Sequence, residues 1–405
     1  MSDNESSAAR NPAPISFDRL RELASVFLKL GTISFGGPAA HIAMMETEIV
    51  TKRQWVTPQQ FLDMLGAANL VPGPTSTETA ITVGFTRAGW SGLCVAGLSF
   101  ILPAALITGT FAWAYVRFGS LPQAASVLSG IKPAVLAIIA LAIWRLGRTA
   151  VKDFGLGVLA AIALAGFLCG LNPVVVLFGG GVVGMMVKRA SDLRTTSPLA
   201  LAASANRWFP ASLRLTGARS GSLAGVGSLV LRPSVGQIGL FFLKVGTVLY
   251  GGGYVLLAFL EQGLVRQHMW LTHQQLLDAV AIGQFTPGPV LSTATFIGYI
   301  LGGVPGAVVA TVGIFLPSFF YVALLAPVLF RLRRSRWIAA FLDSVNACAV
   351  ALMGGVTLRL AADALEGWRT WMVAGASLTV LLGWRVSPVW IVLGGGIAGL
   401  LLGVH

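Results

Sequence analysis

The feature that most constrains this chain is a device it uses twice. Residues 61–81, FLDMLGAANLVPGPTSTETAI, read as an apolar helix, a Pro-Gly-Pro break at Pro72, Gly73 and Pro74, and a hydroxyl-rich restart at Thr75, Ser76 and Thr77. Residues 276–297, LLDAVAIGQFTPGPVLSTATFI, repeat it around Pro287, Gly288 and Pro289, with Ser292 in the restart. Proline removes a backbone donor and, with glycine, frees carbonyls before the break and N–H groups after it. Such groups are costly in hydrocarbon, so a break of this kind survives only where protein or a polar cavity covers it. A helix restarting there aims free N–H groups and a positive dipole end at the cavity, which suits an anion. Two broken helices at matched positions point to the binding site of a transporter.

The match extends well beyond the breaks. Setting Phe27-Leu28-Lys29 on Phe242-Leu243-Lys244 gives an offset of 215, at which Gly31 meets Gly246, Gly36-Gly37 meet Gly251-Gly252, and Glu46 meets Glu261. Trp55 then meets Trp270, Gln59-Gln60 meet Gln274-Gln275, Asp63 meets Asp278, and the two Pro-Gly-Pro triplets coincide without a gap. After a one-residue slip Pro103 meets Pro317, and Gly179-Gly180-Gly181 meets Gly394-Gly395-Gly396. This is an internal duplication.

Each half offers about six apolar segments, near 23–45, 61–86, 90–118, 129–147, 153–170 and 173–187, then 238–260, 274–301, 304–330, 340–358, 370–384 and 388–404. With 55% hydrophobic and 11% charged residues, the expected fold class is an all-α polytopic membrane protein. The organisation expected is a polar tail over 1–19, a first transmembrane repeat over 20–187, a basic linker over 188–236 and a second repeat over 237–405. The tail has no apolar core and does not read as a cleavable signal. The linker carries seven Lys and Arg against Asp192 alone, which places it in the cytoplasm by the positive-inside rule.

Charge in the smaller loops indicates inverted repeats. After the third segment the first half has only Arg117, where the second has Arg331, Arg333, Arg334 and Arg336. After the fourth the bias reverses: Arg145, Arg148 and Lys152 face a balanced Arg359, Asp363, Glu366 and Arg369. Equivalent loops then lie on opposite sides of the membrane. Twelve plain crossings joined by a cytoplasmic linker would instead give parallel repeats, so inversion requires a re-entrant segment or an extra crossing.

The net charge of +13 raises nucleic acid as a partner, but the basic residues cluster in loops between apolar runs, and none is expected. Cys94, Cys169 and Cys348 are dispersed without CxxC spacing or histidine neighbours and read as packing residues, so neither metal nor disulfide is expected. There is no Walker loop, HExxH or GxSxG, and four scattered histidines form no cofactor ligand set. No enzymatic activity and no cofactor follow.

FGGPAAHIAMMETEIV (35–50), followed by the 61–81 stretch, resembles the signature of the chromate ion transporter family in its long-chain form, in which two homologous domains are fused. The resemblance implies export of chromate across the bacterial inner membrane, giving chromate resistance, with sulfate transport linked to some members. The second half departs from the pattern. Gly253 stands where the GGP element has its proline, and His41 has no counterpart in Tyr254-Val255-Leu256. A site dominated by first-half residues follows from that asymmetry.

Lys29 and Lys244, one turn before the glycine pairs, read either as charges for a dianion or as lysines snorkelling to the interface. Gly36-Gly37 and Gly251-Gly252 either present bare backbone to the anion or allow close helix packing. Asn69 and Glu78 flank the first break. Glu78 reads as a proton-coupling or gating carboxyl, or as the partner of Lys29 or Arg87. His41 is a titratable link to proton movement or a packed core histidine. Glu46, Glu48, Glu261, Asp63 and Asp278 read as interfacial anchors and helix caps. The expected partners are chromate or sulfate, the lipid bilayer and a second copy of the chain, and the N-terminus is expected in the cytoplasm. Two alternatives stay open: a general oxyanion carrier, and an anion-binding membrane sensor.

Overall fold

The computed structural model describes residues 17–119, 121–194, 233–250, 253–325, 336–365, 367–384 and 386–402. Residues 1–16 of the tail, 195–232 of the linker, and Gly251 and Gly252 lie outside the described residues. Among the described residues every regular element is helical.

The apolar segment at 23–45 is not one helix but two. Helix α1 (Phe17–Ile33) ends at Ser34, and the chain reverses through Gly36 (φ 104) and Gly37 (φ 79), backbone angles that glycine adopts without a Cβ penalty. Helix α2 (Gly37–Glu46), with Pro38 in its first turn, runs into a π-helical segment, Thr47–Lys52. Salt bridges Lys29–Glu48 (2.8 Å) and Glu22–Arg53 (3.7 Å) set this pair antiparallel to α1. Helix α3 (Pro58–Ala68) opens with a capping box between Thr57 and Gln60, and the Pro-Gly-Pro break then turns the chain into α4 (Thr75–Phe118). By Arg87, which meets Glu22 at 3.0 Å, α4 has returned to the start of α1. Both hairpins thus enter and leave by the same end of the bundle. Helix α4 bends at Ala88 and Gly89 and crosses the bundle. Three helices complete the repeat: α5 (Pro122–Ala150), α6 (Phe154–Leu168) and α7 (Pro173–Arg194).

The second repeat follows the same course. Helix α8 (Val235–Val248) leads to a 3₁₀ turn, α9 (Leu256–Leu260) and a π-helical segment, Glu261–Gln267. Helix α10 (His273–Phe285) carries the matching capping box from Thr272 to Gln275, and α11 (Thr293–Leu325) bends at Gly302 and Gly303. Helices α12 (Arg336–Ala364), α13 (Trp368–Gly383) and α14 (Pro388–Leu402) follow.

Equivalent helices pack side by side in opposite directions. Both α4 and α11 double back at their bends, where Gly84 abuts Gly92 and Gly298 abuts Gly306, and Gly97 lies against Phe319 between the repeats. Gly147 of α5 faces Val350 of α12, and past the end of α5 Lys152 reaches back to Asp343 at 2.7 Å. The operation relating the repeats is therefore a two-fold perpendicular to these helices, which is inverted topology. The repeats also interleave, with α5 packed on α13 and α14 and α12 packed on α6 and α7. Glycines make that possible: Gly130 abuts Gly395 and Gly399, and Gly184 abuts Ser344, with no room for a side chain. Helix α8 runs parallel to the adjoining part of α11, with Gly239 at Val309 and Gly246 at Ile314. Lys188, beside Asp343, and Ser234, which caps α8, accordingly sit at opposite ends of the bundle.

Thr75–Phe118, Ser126–Ala150, Val290–Leu324 and Trp337–Ala364 are long and apolar enough to cross a membrane, and four shorter apolar helices accompany them. Leu98, Leu102 and Leu106 of α4 and Val304, Val308, Val312, Leu316, Phe320 and Leu324 of α11 form outward stripes at four-residue spacing, each more than half exposed. Such stripes suit lipid, and the protein is a multi-pass membrane protein.

The halves are joined at the breaks. The N–H of Gly73 donates to the carbonyl of Leu249 (2.7 Å), and the N–H of Gly288 donates to the carbonyl of Ser34 (2.9 Å). These bonds are images of each other, since Ser34 and Leu249 are equivalent. A methyl at position 73 (φ 140) would overlap Glu78 and Ser318, and one at 288 (φ 84) would lie 2.7 Å from the Ala104 Cβ. Gly73→Ala and Gly288→Ala are each expected to lower stability by about 1–3 kcal/mol of backbone strain, with the overlap added. Gly179→Ala, at a helical site with nothing within 4 Å, is expected to hold or raise it. Thermal unfolding in detergent checks all three.

Candidate anion site

A cavity of about 920 Å³ enters the bundle at the end that carries Arg145 and Lys152. Its rim is formed by the last turns of α5, from Arg145 through Thr149 to Lys152, and by Asp343 and Asn346 of α12. Its inner end reaches Gly36, Pro38 and Ala39 at the first reversal and Asn69, Val71, Gly73 and Thr75 at the Pro-Gly-Pro break. The proline ring at Pro74 sets the chain entering α4, whose first N–H groups have no partner within the helix. The Thr75 hydroxyl donates to the Asn69 Oδ1 at 3.1 Å, so both polar side chains of the break stand together at the cavity. Backbone donors and the Asn69 amide N–H groups, whose carbonyl oxygen Thr75 holds, thus meet beside a positive helix end, an arrangement that suits a tetrahedral anion without a formal charge.

Of the residues singled out in the sequence, Gly36, Asn69, Gly73 and Thr75 line the cavity. Pro72, Pro74 and Ser76 are buried behind them, and Gly37 completes the turn. His41 is buried, with its Nε2 3.1 Å from the Ser34 carbonyl and its ring edge-on to Phe100, where it clasps the reversal. Lys29 binds Glu48, which also takes Lys52 at 2.8 Å, and Lys244 is exposed on α8; neither lines the cavity. Of the two readings of Glu78, the salt bridge to Lys29 or Arg87 does not form. Lys29 is held by Glu48 and Arg87 by Glu22, and Glu78 is fully buried below Thr75 with both oxygens lacking a hydrogen-bond partner. Gly251 and Gly252 lie outside the described residues.

The second break is closed. Pro287, Gly288 and Pro289 are buried, and the Thr108 hydroxyl donates to the Ser292 Oγ at 3.1 Å. Two carboxylates expected at the interface are instead part of this seal. Asp278 is buried, accepting from the Tyr115 hydroxyl at 2.9 Å and lying 3.5 Å from the Lys132 Nζ. Glu261, fully buried, receives Arg266 at 2.6 Å and Arg359 at 3.4 Å. Repetition disguised both, because their equivalents Asp63 and Glu46 are not buried. A lysine inside the apolar segment 129–147 was the available signal for Lys132.

The family model for chromate transporters matches residues 21–185 and 236–400, the two repeats. The chain belongs to the chromate transporter family. It is 34% identical to a chromate transport protein of Cupriavidus metallidurans, over 94% of this chain and 92% of that one. It is 32% identical to a chromate transport protein of Pseudomonas aeruginosa, over 96% of this chain and 94% of the relative. A probable chromate transport protein of Synechococcus elongatus is 30% identical over the same shares. No solved structure matches it. The expectation drawn from the glycine and Pro-Gly-Pro motifs was therefore right about the family, and the relatives are named as transporters.

Breaking one side of a buried ion pair leaves an uncompensated charge. Asp278→Asn is expected to cost about 3–5 kcal/mol by stranding Lys132. The double variant Asp278→Asn with Lys132→Met is expected to be more stable than Asp278→Asn alone, as read by thermal unfolding in detergent.

Proposed function

We propose that this protein carries chromate out of the cytoplasm as a secondary transporter of the bacterial inner membrane and so confers chromate resistance. The observation that carries the reading is an open path to the first break. A cavity runs from a basic end of the bundle to the first break, while the second break is buried beneath its own seal. Arg53, Arg87, Arg145, Arg148, Lys152 and Lys188 gather at the open end. The positive-inside rule turns that end, with the N-terminus, toward the cytoplasm. The anion then enters from within and binds at Asn69, Thr75 and the backbone around Gly36 and Gly73. Inverted repeats supply the second state, in which the closed break opens outward and the first is sealed.

Proton motive force or anion exchange drives the cycle. A membrane potential negative inside favours expulsion of a dianion by about 4.6 kcal/mol per 100 mV, so no nucleotide is required. Chromate and sulfate share charge and tetrahedral shape, and the donors at the break serve both.

Uptake of labelled chromate into everted membrane vesicles, with and without an uncoupler and with sulfate as competitor, tests the proposal. Energised accumulation that survives equimolar sulfate is the expected result; no accumulation, or displacement by sulfate, overturns it. Thr75→Val, which keeps the shape and removes the hydrogen bond that orients the Asn69 amide, is expected to raise KM about 3- to 10-fold, the worth of one neutral hydrogen bond. Lys29→Gln is expected to leave KM unchanged.

A further inference from the structure

The two-fold relation pairs Arg145 with Arg359, through the shared Arg145-Leu146 and Arg359-Leu360 at an offset of 214. The same relation pairs Glu46 with Glu261. At the closed end Glu261 and Arg359 of the second repeat meet, and Arg359 carries the pair onto the first repeat. Arg359 reaches Glu261 at 3.4 Å, donates to the carbonyls of Phe167 (3.1 Å) and Leu168 (3.3 Å) at the end of α6, and lies over the Phe167 ring at 4.5 Å. Glu261 is fully buried. At the open end the images are apart. Arg145 lines the cavity and Glu46 is exposed, and among the described residues neither has an oppositely charged partner. Leu381 and Val386, where α13 gives way to α14, line the same cavity as Arg145, and this connection is the image of the α6–α7 connection that holds Arg359.

A guanidinium needs an anion when its surroundings close, because a buried charge without a partner is prohibitively costly. It is also the side chain best matched to an oxyanion, offering two parallel N–H donors. At the closed end Glu261 fills that need from within the protein. At the open end the carboxylate that shares the cavity, Asp343, is held by Lys152 and Lys188, and none pairs with Arg145, which faces the path.

We propose that Arg145 takes up the oxyanion on the cytoplasmic side, and that Glu46 replaces the anion on Arg145 as that face closes, the arrangement Glu261 and Arg359 already hold at the opposite face. Opening of the far side then releases Arg359 from Glu261. This rests on the transport reading above and deepens it: a carboxylate in each repeat serves as the counter-anion of the shut state, so the cargo is displaced rather than trapped. It also gives the duplicated arginine a role distinct from marking topology, for which lysine serves as well.

Initial rates in everted vesicles, taken against chromate and against sulfate, separate these roles. Arg145→Gln is expected to raise KM at least 10-fold and Arg145→Lys about 3-fold, at equal protein in the membrane. Glu46→Gln is expected to lower kcat with KM unchanged or reduced, because release is slowed and uptake is not. A topology marker would leave KM untouched in Arg145→Lys and Arg145→Gln alike, and that outcome sinks the proposal. Oxyanion binding to purified protein, read by quenching of tryptophan fluorescence with chromate or by competition with sulfate, is measured in parallel. Arg145-dependent binding without vesicle accumulation upholds the anchor and removes the export reading. Accumulation with an Arg145-independent KM does the reverse, and absence of any oxyanion binding by the unmodified protein overturns the anchor.

Discussion

Two hydrogen bonds hold the arrangement on which everything else depends. Each Pro-Gly-Pro glycine turns its N–H toward the other repeat and finds the carbonyl at which that repeat's first helix ends. An unpaired backbone group at that depth would be costly, so neither break is tolerable alone. Each is satisfied by the other half. The requirement that Gly73 and Gly288 take positive φ, and that nothing larger than hydrogen sit on them, follows from the closeness of that junction. Inversion follows as well, because a reciprocal bond between equivalent groups is the mark of a two-fold axis.

A pseudo-symmetric scaffold with two equal ends would carry nothing. The structure is unequal where it matters. One break is reached by a cavity and the other lies under a seal of Thr108 with Ser292, Tyr115 and Lys132 with Asp278, and Arg359 with Glu261. The seal is electrostatic and buried, the kind of contact that is strong when complete and costly when half made. Such contacts favour two discrete states over a continuum, which is what alternating access requires.

Much of this was legible in the chain. The repeat, the breaks, the membrane setting and the family could be read because glycine, proline and capping residues act locally, and duplication printed them twice. Thr57 with Gln60 and Thr272 with Gln275 form matching capping boxes at equivalent places in the two halves. Ion-pair partners were not legible. Glu78 was weighed against Lys29 and Arg87, and both cations belong to other carboxylates. Asp63 and Asp278 occupy one column of the repeat, yet only Asp278 is buried, because its helix faces Lys132 and Tyr115 across the bundle.

The sequence by itself determined the two Pro-Gly-Pro breaks, that two homologous halves exist, and that both must meet in a membrane. Those are consequences of backbone chemistry and hydropathy, which depend on neighbours in the chain. Only the tertiary structure decided which half is open, which arginine is free, and that His41 clasps a turn. Those depend on which of two equivalent packings the folded chain occupies, and the features that both halves share do not distinguish them.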